Sequence, residues 1–147
     1  MAERVSVLLL SGSFDRAHYA LSIASTAAAL ERPATLFVTL AATRALLAGD
    51  GRGRPGWAAL PLSAELAEPE VTDGAALDAR NRARGVAGFE ELLQACVALG
   101  VEIMVCEMGL RAIDLTPEDL RADITYREGG IVSFLADASA TGATLFV

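Results

Sequence analysis

The sequence predicts an α/β domain, a three-layer sandwich with a central, mainly parallel five-stranded sheet. Three observations predict it. Short apolar runs rich in β-branched residues, at 5–10, 34–40 and 101–106, have the length and continuity of strands buried on both faces. These runs alternate with stretches of helical periodicity, which implies parallel pairing through right-handed crossovers. The chain of 147 residues, 53% of them hydrophobic, is long enough to form one domain and bury a core without disulfides or metal.

Residues 5–10 form strand one, bounded by Ser11-Gly12-Ser13. Ser13 or Asp15 caps a helix over 15–30, with Ala17, Leu21, Ala24 and Ala28 at core-facing spacing. Arg32-Pro33 ends it. Residues 34–40 are strand two, and 43–47 a short helix closed by Gly49-Asp50-Gly51. The stretch 49–72 holds Gly51, Gly53, Pro55, Gly56, Pro61 and Pro69 and reads as a long mobile loop. Trp57 lies within it and reads as an anchor to the body of the domain, the alternatives being part of a pocket rim or a subunit contact. An irregular helix over 73–84 precedes a clear amphipathic helix over 88–99, in which Phe89, Leu92, Leu93, Cys96 and Leu99 share one stripe. Gly100 is its C′ glycine.

Strand three is 101–106. A turn or helical piece covers 109–112. Thr116-Pro117-Glu118-Asp119 carries an N-cap threonine, a proline at N1 and an acid at N3. Residues 124–126 read as a short strand. Gly129-Gly130 opens a last helix over 131–139, and 143–147 is the final strand. The order is β-α-β-α-α-β-α-β-α-β, a single domain with no internal repeat.

Composition narrows the function. Net charge is −7, and all 12 basic residues are arginine, which argues against a nucleic-acid partner. The local cluster Arg80, Arg82, Arg84 reads as a solvated face or a subunit contact. No apolar run approaches the ~20 residues of a membrane span, and the N-terminus lacks a signal-peptide pattern, so a cytoplasmic protein without membrane contact is expected. Two cysteines, no CxxC and a single His18 leave no zinc site. Residues 11–15 lack the GxGxxG and GxxxxGK[ST] patterns, and no GxSxG elbow is present. Without lysine there is no Schiff-base chemistry. No cofactor and no metal are expected.

What remains is Cys106. It ends a buried strand, and ligands gather beyond the carboxyl ends of strands in open α/β sheets. The alternative is a strand-end cysteine packed as a small apolar residue, the reading also given to Cys96. Glu107, Met108 and Gly109 follow Cys106. Gly109 would permit a tight turn that aims the next backbone N–H groups at the sulfur.

The residues around Cys106 carry a resemblance. Leu99-Gly100-Val101-Glu102-Ile103-Met104-Val105-Cys106-Glu107-Met108 resembles the "LGVKIxxCxMS" segment of the DsrE/DsrF-like proteins, most closely their DsrE2-type branch. Gly129-Gly130-Ile131-Val132-Ser133-Phe134-Leu135 is similar to the branch's "GGVATFL", and Ala34-Thr35-Leu36-Phe37-Val38-Thr39 to its "VTIFFTF". Ala143-Thr144-Leu145-Phe146-Val147 resembles its closing strand. The likeness covers both ends and 86–147 well, and 49–85 poorly. Gly109 replaces the branch's serine, and a Gly/Arg/Pro loop replaces its Met- and Lys-rich one.

The resemblance implies an α/β fold with a mainly parallel sheet, assembled as a homo-oligomer. It also implies a sulfur-relay protein that carries sulfane sulfur as a persulfide on Cys106, a sulfurtransferase or sulfur carrier. The implied partners are sulfur-donor and sulfur-acceptor proteins. Topology adds supporting candidates for substrate binding: Ser11, Gly12 and Ser13 after strand one, Glu107, Met108 and Gly109 after strand three, and Gly129 and Gly130 at the last helix. The rival expectation is a non-catalytic oligomer that binds a small molecule or nucleotide in the same crevice, with Cys106 only part of the wall.

Overall fold

The computed structural model describes residues 3–49 and 52–147, so Asp50 and Gly51 of the expected helix closure lie outside the described residues. Five strands form one sheet: β1 (Val5–Leu9), β2 (Ala34–Val38), β3 (Glu102–Cys106), β4 (Arg127–Gly129) and β5 (Ala143–Phe146). Their order is β4-β3-β2-β1-β5, and every pairing is parallel. The α-helices are α1 (Phe14–Ala29), α2 (Gly74–Ala83), α3 (Phe89–Ala98), α4 (Glu107–Ala112) and α5 (Ile131–Asp137).

Alternation along the strands sorts side chains onto two faces. On the first face, Val5, Val7, Leu9, Leu36, Val38, Ile103 and Val105 join Ala17, Ala20, Leu21 and Ala24 of α1 and Leu93 and Cys96 of α3 in the main core. Alanines on α1 let the helix lie close to β1 and β2. On the second face a smaller cluster forms from Leu8, Phe37, Met104, Cys106 and Phe134, the last supplied by α5. Phe37 and Phe134 meet with ring centroids 5.2 Å apart. Helices thus cover both faces, as the three-layer reading requires.

Several elements differ in detail from expectation. Strand two stops at Val38, because Leu40 turns into the left-handed region (φ 53) and starts a 3-10 helix, Leu40–Leu46. Ser13 occupies the N-cap of α1, yet its hydroxyl makes no cap bond and pairs with Ser11 instead. Asp15 turns outward too, accepting hydrogen bonds from the Ser63 N–H at 2.8 Å and hydroxyl at 2.6 Å. The expected strand at 124–126 is not one; the strand is Arg127–Gly129. Ile124 is apolar because it plugs the main core from a turn, and the Tyr126 hydroxyl donates to the Arg121 carbonyl. The edge strand β4 needs little apolar content, so Arg127 and Glu128 face solvent.

The stretch 49–72 contains a 3-10 helix, Gly56–Ala59, and is tied down at Trp57. The indole is buried, stacks on Phe89 at 5.2 Å, and its Nε1–H donates to Glu90 Oε1 at 2.9 Å. Phe14 completes this aromatic cluster, and the Phe14 N–H donates to the Pro61 carbonyl. No helix among the described residues is long and apolar enough to cross a membrane.

Candidate functional site

Cys106 is the last residue of β3 and the N-cap of α4. Helix α4 starts at Glu107, two residues earlier than the sequence suggests, with no intervening turn. Gly109 therefore sits inside the first helical turn. Its N–H donates to Cys106 Sγ at 3.3 Å, replacing the side-chain oxygen of an ordinary N-cap.

Gly109 is required there by packing. A Cβ at this position would overlap Thr39 Oγ1 and lie 2.8 Å from the Leu40 N. The start of α4 is thus pressed against the turn leaving β2, and that contact fixes where the N–H aims. Thr39 and Leu40 were not visible as site residues in the sequence. Their role depends on Leu40's positive φ and on a contact across about 70 residues of chain, which no local pattern encodes.

The thiol is enclosed. Cys106 is 3% exposed and packs in the cluster of Leu8, Phe37, Met104 and Phe134. Glu107 and Met108, the next two residues, face solvent, Met108 at 65% exposure. Leu10, Leu40 and Ile131, just beyond the carboxyl ends of β1, β2 and β4, are also exposed. The strand ends around Cys106 therefore carry an apolar rim.

Gly129 is brought to the cysteine directly, pairing in register with Cys106 across β3 and β4. A Cβ on Gly129 would lie 2.5 Å from Met104 Cε. Gly130 is the N-cap of α5, and its carbonyl accepts the Phe134 N–H at 3.0 Å. Ser11, Gly12 and Ser13 are held apart. Strand β2 stands between β1 and β3, placing these residues two strand spacings, roughly 10 Å, to the side. The Ser11 and Ser13 hydroxyls bond to each other at 3.0 Å, and Gly12 lies against Ala41.

Cys96 has the opposite character. It is fully buried in the main core, its Sγ–H donates to the Leu21 carbonyl at 3.6 Å, and burial pushes its thiol up to about 12. At neutral pH it is an inert thiol. His18 is half-buried, and its Nε2–H donates to the Ala87 carbonyl at 2.8 Å, a structural tie between α1 and the start of α3. No group of three or more His, Cys, Asp or Glu side chains among the described residues is arranged to hold a metal ion.

A second polar feature has no local signature in the sequence, because its residues come from three separate segments. A groove of about 700 Å³ is lined by Arg54, Glu90, Arg121 and Asp123, away from Cys106. Both cations are paired in place: Arg121 to Glu90 and, at 2.7 Å, to Asp123, and Arg54 to Asp73 at 3.6 Å. Burial raises the Glu90 carboxyl, but hydrogen bonds from Arg121 and Trp57 outweigh it and hold the group below its ordinary range. The network joins α3, the Trp57 loop and residues 121–123, and so fastens the polypeptide on this side of the sheet.

Comparison with known proteins agrees with this architecture. No family model matches the chain. YrkE, an uncharacterized protein of Bacillus subtilis (strain 168), is 26% identical, with 99% of this chain and 97% of that protein covered. The crystal structure of the ychN protein from E. coli superposes with a TM-score of 0.53 over the whole of both chains, at 14% identity. The likeness to ychN is one of fold, in line with the α/β arrangement that the DsrE-type resemblance implies.

Proposed function

We propose that the protein relays sulfane sulfur through Cys106. The observation that carries this reading is the N-cap position of Cys106, where the Gly109 N–H donates to Sγ at the carboxyl edge of a parallel sheet. The Cys106 thiolate attacks the outer sulfur of a donor persulfide. The new S–S bond forms as the donor's S–S bond breaks, and the donor leaves as a thiolate. Cys106 then holds the sulfur as Cys106–S–SH. An acceptor thiolate takes that outer sulfur by the same exchange, which restores the Cys106 thiolate, so no net oxidant is consumed. The Gly109 N–H, which donates to Sγ, points at the sulfur that takes part in the exchange.

The apolar rim of Leu10, Leu40, Met108 and Ile131 is where a donor or acceptor protein would dock. At 3% exposure, attack on a partner's sulfur requires the wall around Cys106 to open.

One observation favours the rival, a non-catalytic binding protein with Cys106 in the wall: the cysteine packs as a core residue. Intact mass separates the two. Reduced protein incubated with polysulfide is expected to gain 32 Da, one sulfur atom by the S–S exchange above. Cys106→Ser should gain none, and dithiothreitol should remove the adduct. A wild type without adduct, or an equal adduct on Cys106→Ser, would overturn the relay.

A further inference from the structure

Sulfur is concentrated at one place in the chain. Of its three methionines, Met104 and Met108 flank Cys106 two residues away on either side, in the run Met104-Val105-Cys106-Glu107-Met108. Alternation along β3 puts Met104 and Cys106 on the second face, about 7 Å apart along the strand. The Met104 side chain leans toward the cysteine's level. Its Cε reaches to 2.5 Å from where a Gly129 Cβ would stand, and Gly129 is the residue paired in register with Cys106. The end of the thioether therefore lies in the cysteine's own row of the sheet, in space that a glycine leaves open. Leu8, Phe37 and Phe134 form an apolar wall around both residues. Met108 stands outside, 65% exposed, in the first turn of the helix that Cys106 caps.

We infer that Met104, Cys106 and Met108 form a binding site for a soft monovalent metal ion, Cu(I). Thiolate and thioether are the ligands that select Cu(I). Charge balance points the same way. Cu(I) and one thiolate sum to zero, so the pair sits among Leu8, Phe37 and Phe134 without an uncompensated charge. Zn(II) on a single thiolate would leave a net positive charge in that apolar cluster. No imidazole competes, because His18 is bonded to the Ala87 carbonyl. Binding releases the Cys106 thiol proton to solvent, and the metal stays Cu(I) throughout. Met104 supplies the inner thioether. Met108, unbranched and flexible, folds over the mouth as the third ligand. Cys96 takes no part, since the main core around it holds no methionine. The site does not rest on the sulfur relay, but it uses the same sulfur, so bound Cu(I) excludes a persulfide on Cys106.

Anaerobic titration of the reduced full chain with the Cu(I)–bicinchoninate complex tests it. Wild type should withdraw one Cu(I) per chain, and Cys106→Ser none. Met104→Leu and Met108→Leu each keep the side chain's size and lose the sulfur, and each should weaken retention by about tenfold or more. Cys96→Ala should still withdraw one. Circular dichroism confirms that each variant folds, and X-ray absorption of the loaded wild type should show sulfur alone around the metal. A folded wild type that withdraws no Cu(I) would overturn the site. So would either leucine variant holding Cu(I) as tightly as wild type, or oxygen or nitrogen ligands on the metal. The polysulfide mass gain reads the relay by itself, so either reading can fail while the other stands.

Discussion

Gly109 gives its N–H to Cys106 Sγ at 3.3 Å while its Cα face lies flat against Thr39. One residue therefore both orients the thiol and seals the joint between α4 and the end of β2. The structure leaves no room for a side chain there, which explains a glycine inside a helix, where it otherwise costs about 1 kcal/mol relative to alanine.

Gly109→Ala should consequently destabilise the fold by about 1–3 kcal/mol, the usual cost of overpacking, rather than stabilise α4 as helix propensity alone would suggest. Urea denaturation measures it. Thr39→Ala in the Gly109→Ala background should recover part of the loss, because Thr39 Oγ1 is the nearest atom to the added methyl. No recovery would mean that the Leu40 backbone, at 2.8 Å, sets the limit.

The legible and illegible parts of the molecule divide by the range of the interactions that create them. Strand β3 and helix α3 were readable because each carries its own signal, a short, mostly apolar run in one and a 3.6-residue stripe in the other. Gly100, at φ 80, is the helix-ending glycine that its place after that stripe suggests. Strand β4 was misplaced because apolarity at Ile124 and Tyr126 reports burial, and burial there belongs to a turn. Cys106 could be placed at a strand end from sequence. Its enclosure by Phe134, which arrives from 28 residues downstream, could not, nor could the Thr39–Gly109 contact.

The buried thiol of Cys96 makes stability sensitive to alkali. Burial raises it from an ordinary 9.0 to about 12, so between those values the unfolded chain has released a proton that the native state still holds. Stability is therefore unaffected below about pH 9 and falls at up to about 1.4 kcal/mol per pH unit as pH rises toward 12. Tyr126, raised by burial from 10.0 to about 12, adds to the loss above pH 10. Urea midpoints measured from pH 7 to pH 11 should show a shallower decline in Cys96→Ala than in wild type, even though the variant is less stable at neutral pH. An unchanged slope would remove Cys96 as the cause.

Trp57 is expected to divide the 49–72 stretch into a held part and a free part. Its indole is bonded to Glu90 and stacked on Phe89, while residues 64–70 are exposed. In hydrogen exchange, amides around 57–60 should be protected and those of 64–67 should exchange fast. Trp57→Phe keeps the stacking and loses one hydrogen bond, at about 1 kcal/mol. Trp57→Ala should cost about 3–5 kcal/mol and open the protected amides. Equal protection throughout the stretch would show that other ties, such as Arg80 to Glu68 at 3.0 Å, matter as much.

Access to Cys106 should be governed by Phe134. Helix α5 has seven residues, and Phe134 is its one side chain buried in the second-face cluster. Besides that ring, the helix is held at its far end by the ion pair of Arg127 with Asp137. Removing the ring takes away the wall that Phe134 shares with Phe37 and Met104 around the sulfur. Phe134→Ala should therefore cost about 3–5 kcal/mol and raise the rate of iodoacetamide reaction at Cys106 by about tenfold or more, with Cys96 unlabelled in the folded protein. Labelling below the denaturation midpoint, followed by peptide mass analysis, reads both cysteines at once. If Cys106 gains no reactivity, the barrier to its chemistry lies in the first turn of α4, and Met108→Ala becomes the variant that should expose it.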